Sequence, residues 1–372
     1  MTSEIVNRNF LEWFKSKKEN DYWLISDIPN NYALINYKKN YSLLKSQELK
    51  CKQITWFVTN KCNLSCIHCG VSANERKFND ISIQHFENII PDLKDIGVNY
   101  ITLTGGEPLI RKDIIEIINL LKNNNFKVGM VSNGTYIEKL KSLKLENMID
   151  AISISIDGLE QNHSHIRKSS KNFKQTIDAI KISKNLGVKI VSIPTCVYPQ
   201  NINELDALKE LIFSQGADQW VLRPVSPSGR AGYKKEYEMS YKQIKDLLIY
   251  VKKNIELGYE VTVGSDLGYL GKLDSDIYLS PFFIPIGWNS MSLLPNGDIK
   301  GFDEEHLPTE GNIFKDNIKD IWLNKFQYFR NPELPEECIT CRYFPRCRGG
   351  NLVTAELNRR CIKPVLEMLE ND

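Results

Sequence analysis

The chain has 372 residues, of which 42% are hydrophobic and 25% are charged, a composition typical of folded globular proteins and not of disordered or fibrous ones. This length is enough for one large α/β domain with a smaller domain beside it. The 48 basic and 46 acidic residues leave a formal net charge of +2, which gives no indication of nucleic acid or an anionic membrane as a partner.

The N-terminal residues indicate the cellular compartment. Residues 1–20 carry charges throughout and contain no apolar core of a secretory signal peptide. No uninterrupted apolar stretch of about 18 residues occurs, so we expect no membrane span and a cytoplasmic protein. In a reducing cytosol, nine cysteines indicate metal binding or catalysis before disulfides.

Residues 1–50 precede the first clear strand and form the first predicted unit of the chain. They contain a predicted hairpin, residues 22–37 with a turn near Asn30 and Asn31, and a predicted short helix near residues 41–50. This segment would serve as a lid, as a docking surface or as a pad that covers the bottom of the following domain.

Strand and helix patterns alternate over residues 51–258. Runs rich in β-branched residues predict six strands, at 54–59, 100–104, 127–132, 151–156, 188–197 and 219–225. Apolar residues at three- and four-residue spacing predict helices at 83–96, 112–124, 137–145, 172–186, 202–215 and 241–256. This alternation predicts an α/β fold in which parallel strands and crossover helices close into a partial, open (βα)6 barrel.

After residue 258 the helical periodicity weakens, and residues 259–372 form the last predicted unit. A predicted hairpin at residues 290–302, around Pro295, Asn296 and Gly297, leads into a cysteine-rich tail.

Residues suited to chemistry fall where the predicted strands end. In barrels and open α/β sheets, reactive residues lie at the carboxyl ends of parallel strands. In strand order these residues are Cys62, Cys66 and Cys69, then Gly105, Gly106 and Glu107, then Asn133, then Asp157, then Cys196, and finally Arg223. We therefore expect all of them on one rim of the barrel.

The first cysteine group, Cys62, Cys66 and Cys69, predicts an iron-sulfur site. Three thiolates within eight residues of one loop can converge on one cluster. A cubic 4Fe-4S cluster has four irons, so three ligands leave one iron open for a substrate or cofactor, as in catalytic zinc sites. His68 is an alternative fourth ligand, although its place between two ligands points it elsewhere, and a zinc ion would need a fourth ligand.

Residues 62–69 resemble the signature of the radical S-adenosylmethionine (SAM) superfamily. Residues 105–108 resemble its glycine-rich motif, and residues 153–158 its fourth-strand segment. The resemblance implies that the open iron binds the amino and carboxylate groups of SAM. Reductive cleavage of SAM would then give methionine and a 5′-deoxyadenosyl radical that abstracts a hydrogen atom from the substrate. A flavodoxin- or ferredoxin-type protein would supply the electron.

Within this resemblance, several residues at strand ends are candidate SAM contacts. Gly105 and Gly106 would let the backbone approach the methionyl end closely, and Glu107 could accept a hydrogen bond from the ammonium group. Polar candidates for the ribose hydroxyls or the carboxylate are Ser132, Asn133, Ser155 and Arg167.

The second cysteine group consists of Cys338, Cys341, Cys347 and Cys361. By spacing alone these four thiolates suit a closed zinc site or a fully ligated cluster. The tail resembles the SPASM extension of many radical SAM enzymes, which implies that they ligate the distal of two auxiliary 4Fe-4S clusters.

Two positions depart from that SPASM pattern. Phe302 and Asn351 stand where cysteines are expected, and no cysteine lies between Cys196 and Cys338. We therefore expect the nearer auxiliary cluster to be absent and two clusters per chain, one open and one closed.

Three further residues have open assignments. Arg223 begins a segment similar to the one after strand six in SPASM enzymes, and it would either hold an anionic group or pair with a helix carboxylate. Cys196 is either a small buried hydrophobe or a thiol that returns a hydrogen atom to a substrate radical, which would permit epimerisation. Cys51 is expected only to pack.

By this resemblance the predicted function is that of an oxidoreductase that modifies a ribosomally made peptide by crosslinking, thioether formation or epimerisation. Residues 1–50 would then dock a leader peptide by strand addition. Alternatives are a dehydrogenase or epimerase of an amino sugar or other small molecule, and a tetrapyrrole-modifying enzyme. A zinc-binding adaptor would explain the tail but not the open three-cysteine loop. Neither nucleic acid nor a membrane is expected as a partner.

Overall fold

The structure is a computed structural model that describes residues 22–27, 31–36, 49–76, 79–142, 148–232, 234–278, 282, 284–304, 306–351 and 361–371. Most of the helix predicted near residues 41–50 lies outside these ranges. Among the described residues, no helix is both long and apolar enough to cross a lipid bilayer.

The N-terminal segment contains the predicted hairpin. Strands β1 (Tyr22–Asp27) and β2 (Asn31–Asn36) pair antiparallel, with Tyr22 opposite Asn36 and Asp27 opposite Asn31. They form a two-stranded sheet of their own, so each strand has one backbone edge that pairs with no other described strand.

One ten-stranded sheet forms the centre of the molecule. Its strands in chain order are β3 (Gln53–Thr59), β4 (Tyr100–Gly105), β5 (Lys127–Ser132), β6 (Ala151–Ile154), β7 (Ile190–Val197), β8 (Gln219–Pro224), β9 (Val261–Val263), β10 (Ser290–Leu293), β11 (Asp298–Lys300) and β12 (Thr309–Asn312). Strands β3 to β8 lie side by side in sequence order, each parallel to the next. This arrangement confirms the predicted partial (βα)6 barrel.

The C-terminal part of the chain extends the same sheet at both edges. Strand β9 pairs parallel with β8, and β10 pairs parallel with β3. Strands β11 and β12 continue antiparallel beyond β10. Strands on both sides of residue 258 therefore share hydrogen bonds, while the division of the chain at residues 50 and 258 stays a prediction.

The longer helices cover the strands. They are α1 (Ile83–Asp95), α2 (Ile114–Asn123), α3 (Glu160–Arg167), α4 (Asn172–Asn185), α5 (Leu205–Ser214) and α6 (Tyr241–Glu256). Shorter helices follow, namely α7 (Asp274–Ile277), α8 (Ile318–Asn324), α9 (Gln327–Arg330), α10 (Glu336–Ile339), α11 (Phe344–Cys347) and α12 (Lys363–Glu370).

Helix α6 illustrates why the sequence fixes some boundaries well. Ser240 and Gln243 form a capping box in which each side chain accepts a hydrogen bond from the other residue's backbone. Gly258, just beyond the last turn, adopts a φ of +89°, which glycine tolerates without steric cost. The observed bounds equal the predicted ones.

Two helical segments differ from prediction. The helix predicted at 137–145 is a 3-10 helix over Ile137–Ser142, and residues 143–147 lie outside the described ranges. Helix α3 was not predicted, because its sequence is mostly polar and buries few residues. The fourth strand is also shorter than the predicted 151–156, because it ends at Ile154.

A buried cation joins the C-terminal helices to the turn before β10. Arg330 donates hydrogen bonds to the backbone carbonyls of Gly287 at 2.7 Å, Trp322 at 2.7 Å and Lys325 at 2.8 Å. Its guanidinium also lies over the Trp322 ring, 5.0 Å from the centroid. Arg330 thereby fixes α8 and α9 against the turn before β10, the strand that pairs with β3.

Candidate active site

The loop after β3 brings three cysteines to one cavity. Cys62, Cys66 and Cys69 line a cavity of about 140 Å³ at the carboxyl ends of β4 and β5. Six predicted SAM contacts line the same cavity, namely Gly105, Gly106, Ser132, Asn133, Ser155 and Arg167. Residues from five separate segments of the sequence therefore converge at the carboxyl ends of the parallel strands, as predicted. Their contacts with SAM stay predictions.

The donor set fits a cubic cluster with an open iron. Three sulfur ligands face one cavity that also holds polar groups suited to a small charged cofactor. Two buried nitrogens of cavity-lining residues, His68 Nδ1 and Arg230 Nη2, have no hydrogen-bond partner among the described residues. Buried polar atoms of this kind indicate an acceptor that arrives with a ligand.

Glu107 lies behind the cavity wall and not on it. The side chain is fully buried, and its Oε1 accepts hydrogen bonds from Leu109 N and Ser132 Oγ, both at 3.0 Å. Its Oε2 accepts from the backbone N of Asn133 at 2.8 Å. Burial raises the pKa of Glu107, and these donors partly offset that effect. The carboxylate joins the loops after β4 and β5, while a bond to the SAM ammonium group stays a prediction.

Gly105 and Gly106 lie where the neighbouring backbone leaves no room for a side chain. A Cβ on Gly105 would lie 2.2 Å from the carbonyl oxygen of Thr59, and one on Gly106 would lie 2.1 Å from that of Lys61. In the same contact, Gly106 N donates to Thr59 O at 2.8 Å. The two glycines therefore let the loop after β4 pack backbone to backbone against the start of the cysteine loop.

Asp157, after β6, organises the other side of the cavity. Its buried Oδ2 accepts from Arg167 Nε at 2.7 Å and lies 3.1 Å from His68 Nε2. Its Oδ1 accepts from the backbone N of Cys196 at 2.9 Å. Burial alone would raise the pKa of Asp157, but Arg167 and His68 hold it well below its usual range. His68 therefore contacts a carboxylate and also lines the cavity, and the expectation that it is not a cluster ligand stays a prediction.

A second buried histidine, His163, binds the backbone of Asp157. Asp157 N donates to His163 Nδ1 at 3.1 Å, so the proton of this ring lies on Nε2, which donates to Asn172 Oδ1 at 2.9 Å. Asn172 Nδ2 in turn donates to the carbonyl oxygen of Asn133 at 3.0 Å. Burial lowers the pKa of His163 to about 4. This chain of bonds links the loops after β5 and β6.

The two isolated cysteines have different environments. Cys51 is fully buried, with Sγ 3.4 Å from Gln53 O, which confirms that it packs. Cys196 is partly exposed at the end of β7. Its Sγ, a ring nitrogen of His68 and a carboxylate oxygen of Asp157 all lie within 4.8 Å of one another. The thiol is therefore next to a histidine that lines the cavity.

The four tail cysteines lie close together. Burial is the main cause that raises the pKa of Cys347 to about 11, and the neighbouring thiols Cys361, Cys338 and Cys341 add to the shift. The metal ion or cluster that these four thiols would hold stays a prediction.

The positions that depart from the SPASM pattern make other contacts. Phe302 packs edge to face on Phe57, with ring centroids 5.7 Å apart. The next residue, Asp303, is buried and pairs with Arg76 at 2.7 Å. Arg223 is 47% exposed and lies 3.5 Å from Asp266, in the 3-10 turn Ser265–Leu267, which agrees with the carboxylate-pairing alternative.

We predict that His163→Gln weakens the pH dependence of stability. The unfolded chain binds a proton near the ordinary histidine pKa of 6.5, whereas the folded protein does so only near 4. The unfolded state therefore binds more protons in this window, and stability falls as pH drops from about 6.5 to about 4, by up to ~1.4 kcal/mol per pH unit. The glutamine variant should lose that slope, as measured by urea unfolding of the metal-free chain.

The matched control for this experiment is His85→Gln, which removes an exposed histidine at the start of α1. The control should keep the wild-type slope. An unchanged slope in the His163 variant would show that this ring is not held neutral by its surroundings.

The chain is similar to known proteins in sequence. Residues 56–212 match the family model of the radical SAM superfamily. Mycofactocin maturase MftC of Mycolicibacterium smegmatis is 27% identical over 306 residues, which cover 80% of this chain and 77% of that protein. AdoMet-dependent heme synthase of Methanosarcina barkeri is 25% identical over 320 residues, which cover 80% of this chain and 90% of that protein.

The fold is similar to that of SuiB from Streptococcus suis. The crystal structure of SuiB bound to its precursor peptide SuiA aligns with a TM-score of 0.66 at 18% identity, over 94% of this chain and 83% of that chain. The segment matched by the radical SAM family model contains the three cysteines and the cavity walls formed at β4, β5 and β6.

Proposed function

We propose that this radical SAM enzyme modifies a ribosomally made peptide at an unactivated carbon, by crosslinking, thioether formation or epimerisation. The observation that carries the proposal is the convergence of Cys62, Cys66 and Cys69 on one cavity whose other walls are polar and glycine-rich. When bound there, the open 4Fe-4S cluster supplies the electron that cleaves SAM to methionine and a radical able to take a hydrogen atom from carbon.

The residues around the cavity have distinct tasks in this proposal. The three thiolates would hold three irons. Gly105 and Gly106 let the loop after β4 pack against Thr59 and Lys61, and both glycines line the cavity where the methionyl group would lie. Arg167 is a candidate partner of the SAM carboxylate, with its Nε already bound to Asp157. Because Arg167 is fixed in this way, binding of the carboxylate would require little reordering of the side chain.

A peptide substrate is supported by the N-terminal hairpin and by the relatives. The hairpin of β1 and β2 has unpaired backbone edges, to which an extended leader peptide can add as a strand. MftC carries the name of a maturase, and SuiB has been crystallised with its precursor peptide.

For the tail, we propose one auxiliary 4Fe-4S cluster held by Cys338, Cys341, Cys347 and Cys361. Support comes from the electrostatic effect of the other three thiols on the pKa of Cys347 and from the resemblance of the tail to the SPASM extension. The nearer auxiliary cluster is not part of this proposal, because Phe302 packs against Phe57 at the position of a required ligand.

A second candidate function is action on a tetrapyrrole. One relative of similar coverage is an AdoMet-dependent heme synthase, and such a small substrate would need no peptide dock. The two candidates therefore differ in their need for residues 1–50.

The peptide proposal is tested with precursor peptides encoded beside this gene. We expect the anaerobically reconstituted chain to change the mass or stereochemistry of such a peptide. A chain lacking residues 1–50 should still form 5′-deoxyadenosine from SAM but should bind and modify the peptide at least tenfold less. Liquid chromatography with mass spectrometry follows both products.

A matched pair of variants controls for the large deletion. Ala33→Pro removes a backbone N–H from β2 and disrupts the hairpin, whereas Ala33→Ser at the same position keeps it. Only the proline variant should weaken peptide binding. Undiminished peptide modification by the truncated chain would contradict docking on the hairpin, and conversion of a haem precursor without any peptide modification would favour the second candidate.

For Cys196 we propose the role of a hydrogen-atom donor in an epimerisation. Its S–H bond would break homolytically to give a hydrogen atom to the substrate carbon radical, which leaves a thiyl radical. One electron from the flavodoxin- or ferredoxin-type donor and one proton from water would then restore the thiol. The partly exposed position of Cys196 beside His68, which lines the cavity, supports this role.

We predict that Cys196→Ala leaves SAM cleavage within about twofold of wild type but abolishes the epimerised product. In deuterium oxide the wild-type product should gain one deuterium at the inverted carbon, because thiol hydrogens exchange with solvent. Cys51→Ala, at a cysteine remote from the cavity, is the control for loss of a thiol. If the Cys196 variant forms wild-type product, the thiol is not the donor.

A further inference from the structure

The segment after β8 packs directly on the cysteine loop. Gly229 has a φ of +53°, and a Cβ there would lie 2.2 Å from the carbonyl oxygen of Cys69 and 2.4 Å from that of Gly70. The backbone N of Arg230 donates to Cys69 O at 3.0 Å. Because β8 is the sixth strand of the barrel and the cysteine loop follows the first, this contact bridges the barrel mouth.

The Arg230 side chain holds the same loop at two more points. Its Nε donates to Cys66 O at 2.8 Å, and its Nη1 donates to Ala73 O at 2.7 Å. The side chain is largely buried and lines the cavity with the three cysteines. Arg230 therefore fixes the backbone of two cluster ligands, Cys66 and Cys69.

The charge of Arg230 is compensated less well than that of the other arginine in the cavity. Arg167 pairs with Asp157 at 2.7 Å, and both side chains are less than a tenth exposed. The carboxylate that pairs with Arg230 belongs to Glu75, which contacts Nη1 at 3.3 Å and is 56% exposed. Such solvent-exposed partners contribute little.

The remaining nitrogen of Arg230 lacks an acceptor. Nη2 is buried and has no hydrogen-bond partner among the described residues. Leaving a buried cationic N–H group unsatisfied is costly, which indicates that an anionic acceptor completes the site. The loop that Arg230 holds carries three cysteines that line the same cavity, and their thiolates would supply the negative charge there.

We propose that Arg230 is a positioning residue that fixes the cysteine loop and donates from Nη2 to the sulfur shell of the open cluster. A positive charge and a hydrogen bond at the sulfurs favour the reduced, more negative cluster and so raise its reduction potential. This inference rests on the proposed function, since it requires the open cluster.

The test uses the reconstituted full-length enzyme and its variants Arg230→Gln and Arg230→Lys. Arg223→Gln is the matched control, because Arg223 is on the same β8 segment but is paired with Asp266 outside the cavity lining. The midpoint potential of the open cluster is measured by redox titration without SAM, followed by electron paramagnetic resonance. The open cluster is identified as the one whose signal changes when SAM is added.

We expect Arg230→Gln to lower the ratio of reduced to oxidised cluster about tenfold at a given potential, which is ~59 mV for one electron. Arg230→Lys keeps the charge and should shift the potential less, and Arg223→Gln should not shift it. An unchanged potential in Arg230→Gln overturns the inference, even if the affinity for SAM falls, because the acceptor would then be the SAM carboxylate.

Iron analysis separates this inference from the proposed function. A wild-type chain that does not hold the open cluster contradicts both. If wild type holds the cluster but Arg230→Gln does not, Arg230→Ala is reconstituted in millimolar guanidinium chloride or in sodium chloride of equal concentration. Recovery of cluster iron with guanidinium alone supports the charged role of Arg230, and failure to recover it overturns that role.

Discussion

The site depends on holding an irregular loop in one conformation. The loop after β3 carries three cysteines and has no regular secondary structure of its own over residues 60–76. Its carbonyl and N–H groups are bound instead by other segments, including Glu107 after β4, Ile166 at the end of α3 and Arg230 after β8. Because several elements hold the loop at once, its three cysteines face the open cavity and the loop does not fold into that cavity.

Buried charge is the second constraint, and it explains why the cavity walls are rigid. Asp157 is buried with Arg167 and His68 around it, and a buried carboxylate of this kind stays charged only while its partners are in place. The same carboxylate binds the backbone of Cys196 and so joins the end of β7 to the cysteine loop. The side chains around the cavity therefore also hold the barrel mouth together, which couples folding of the barrel mouth to the shape of the cavity.

The sequence predicted the barrel well because strands rich in β-branched residues alternate with helices of three- and four-residue apolar spacing. Two of these helices, α1 and α6, also begin at a serine cap. It did not predict α3, whose polar sequence hides the burial of His163 and Arg167. Spacing also could not show that Glu107 lies behind the cavity wall, because burial of a carboxylate depends on the neighbouring loop. A role for Arg230 could not be predicted from spacing, because 164 residues separate it from Cys66, whose carbonyl it binds.

The most direct test of the account is iron analysis and SAM cleavage in the variant with Cys62, Cys66 and Cys69 all replaced by alanine. The account predicts about eight irons per wild-type chain and about four in the variant, which keeps the tail cluster. Under a strong reductant, the wild type should form 5′-deoxyadenosine and the variant should form none. Equal iron content, or 5′-deoxyadenosine formation by the variant at the wild-type rate, would contradict the assignment of the open cluster to this loop.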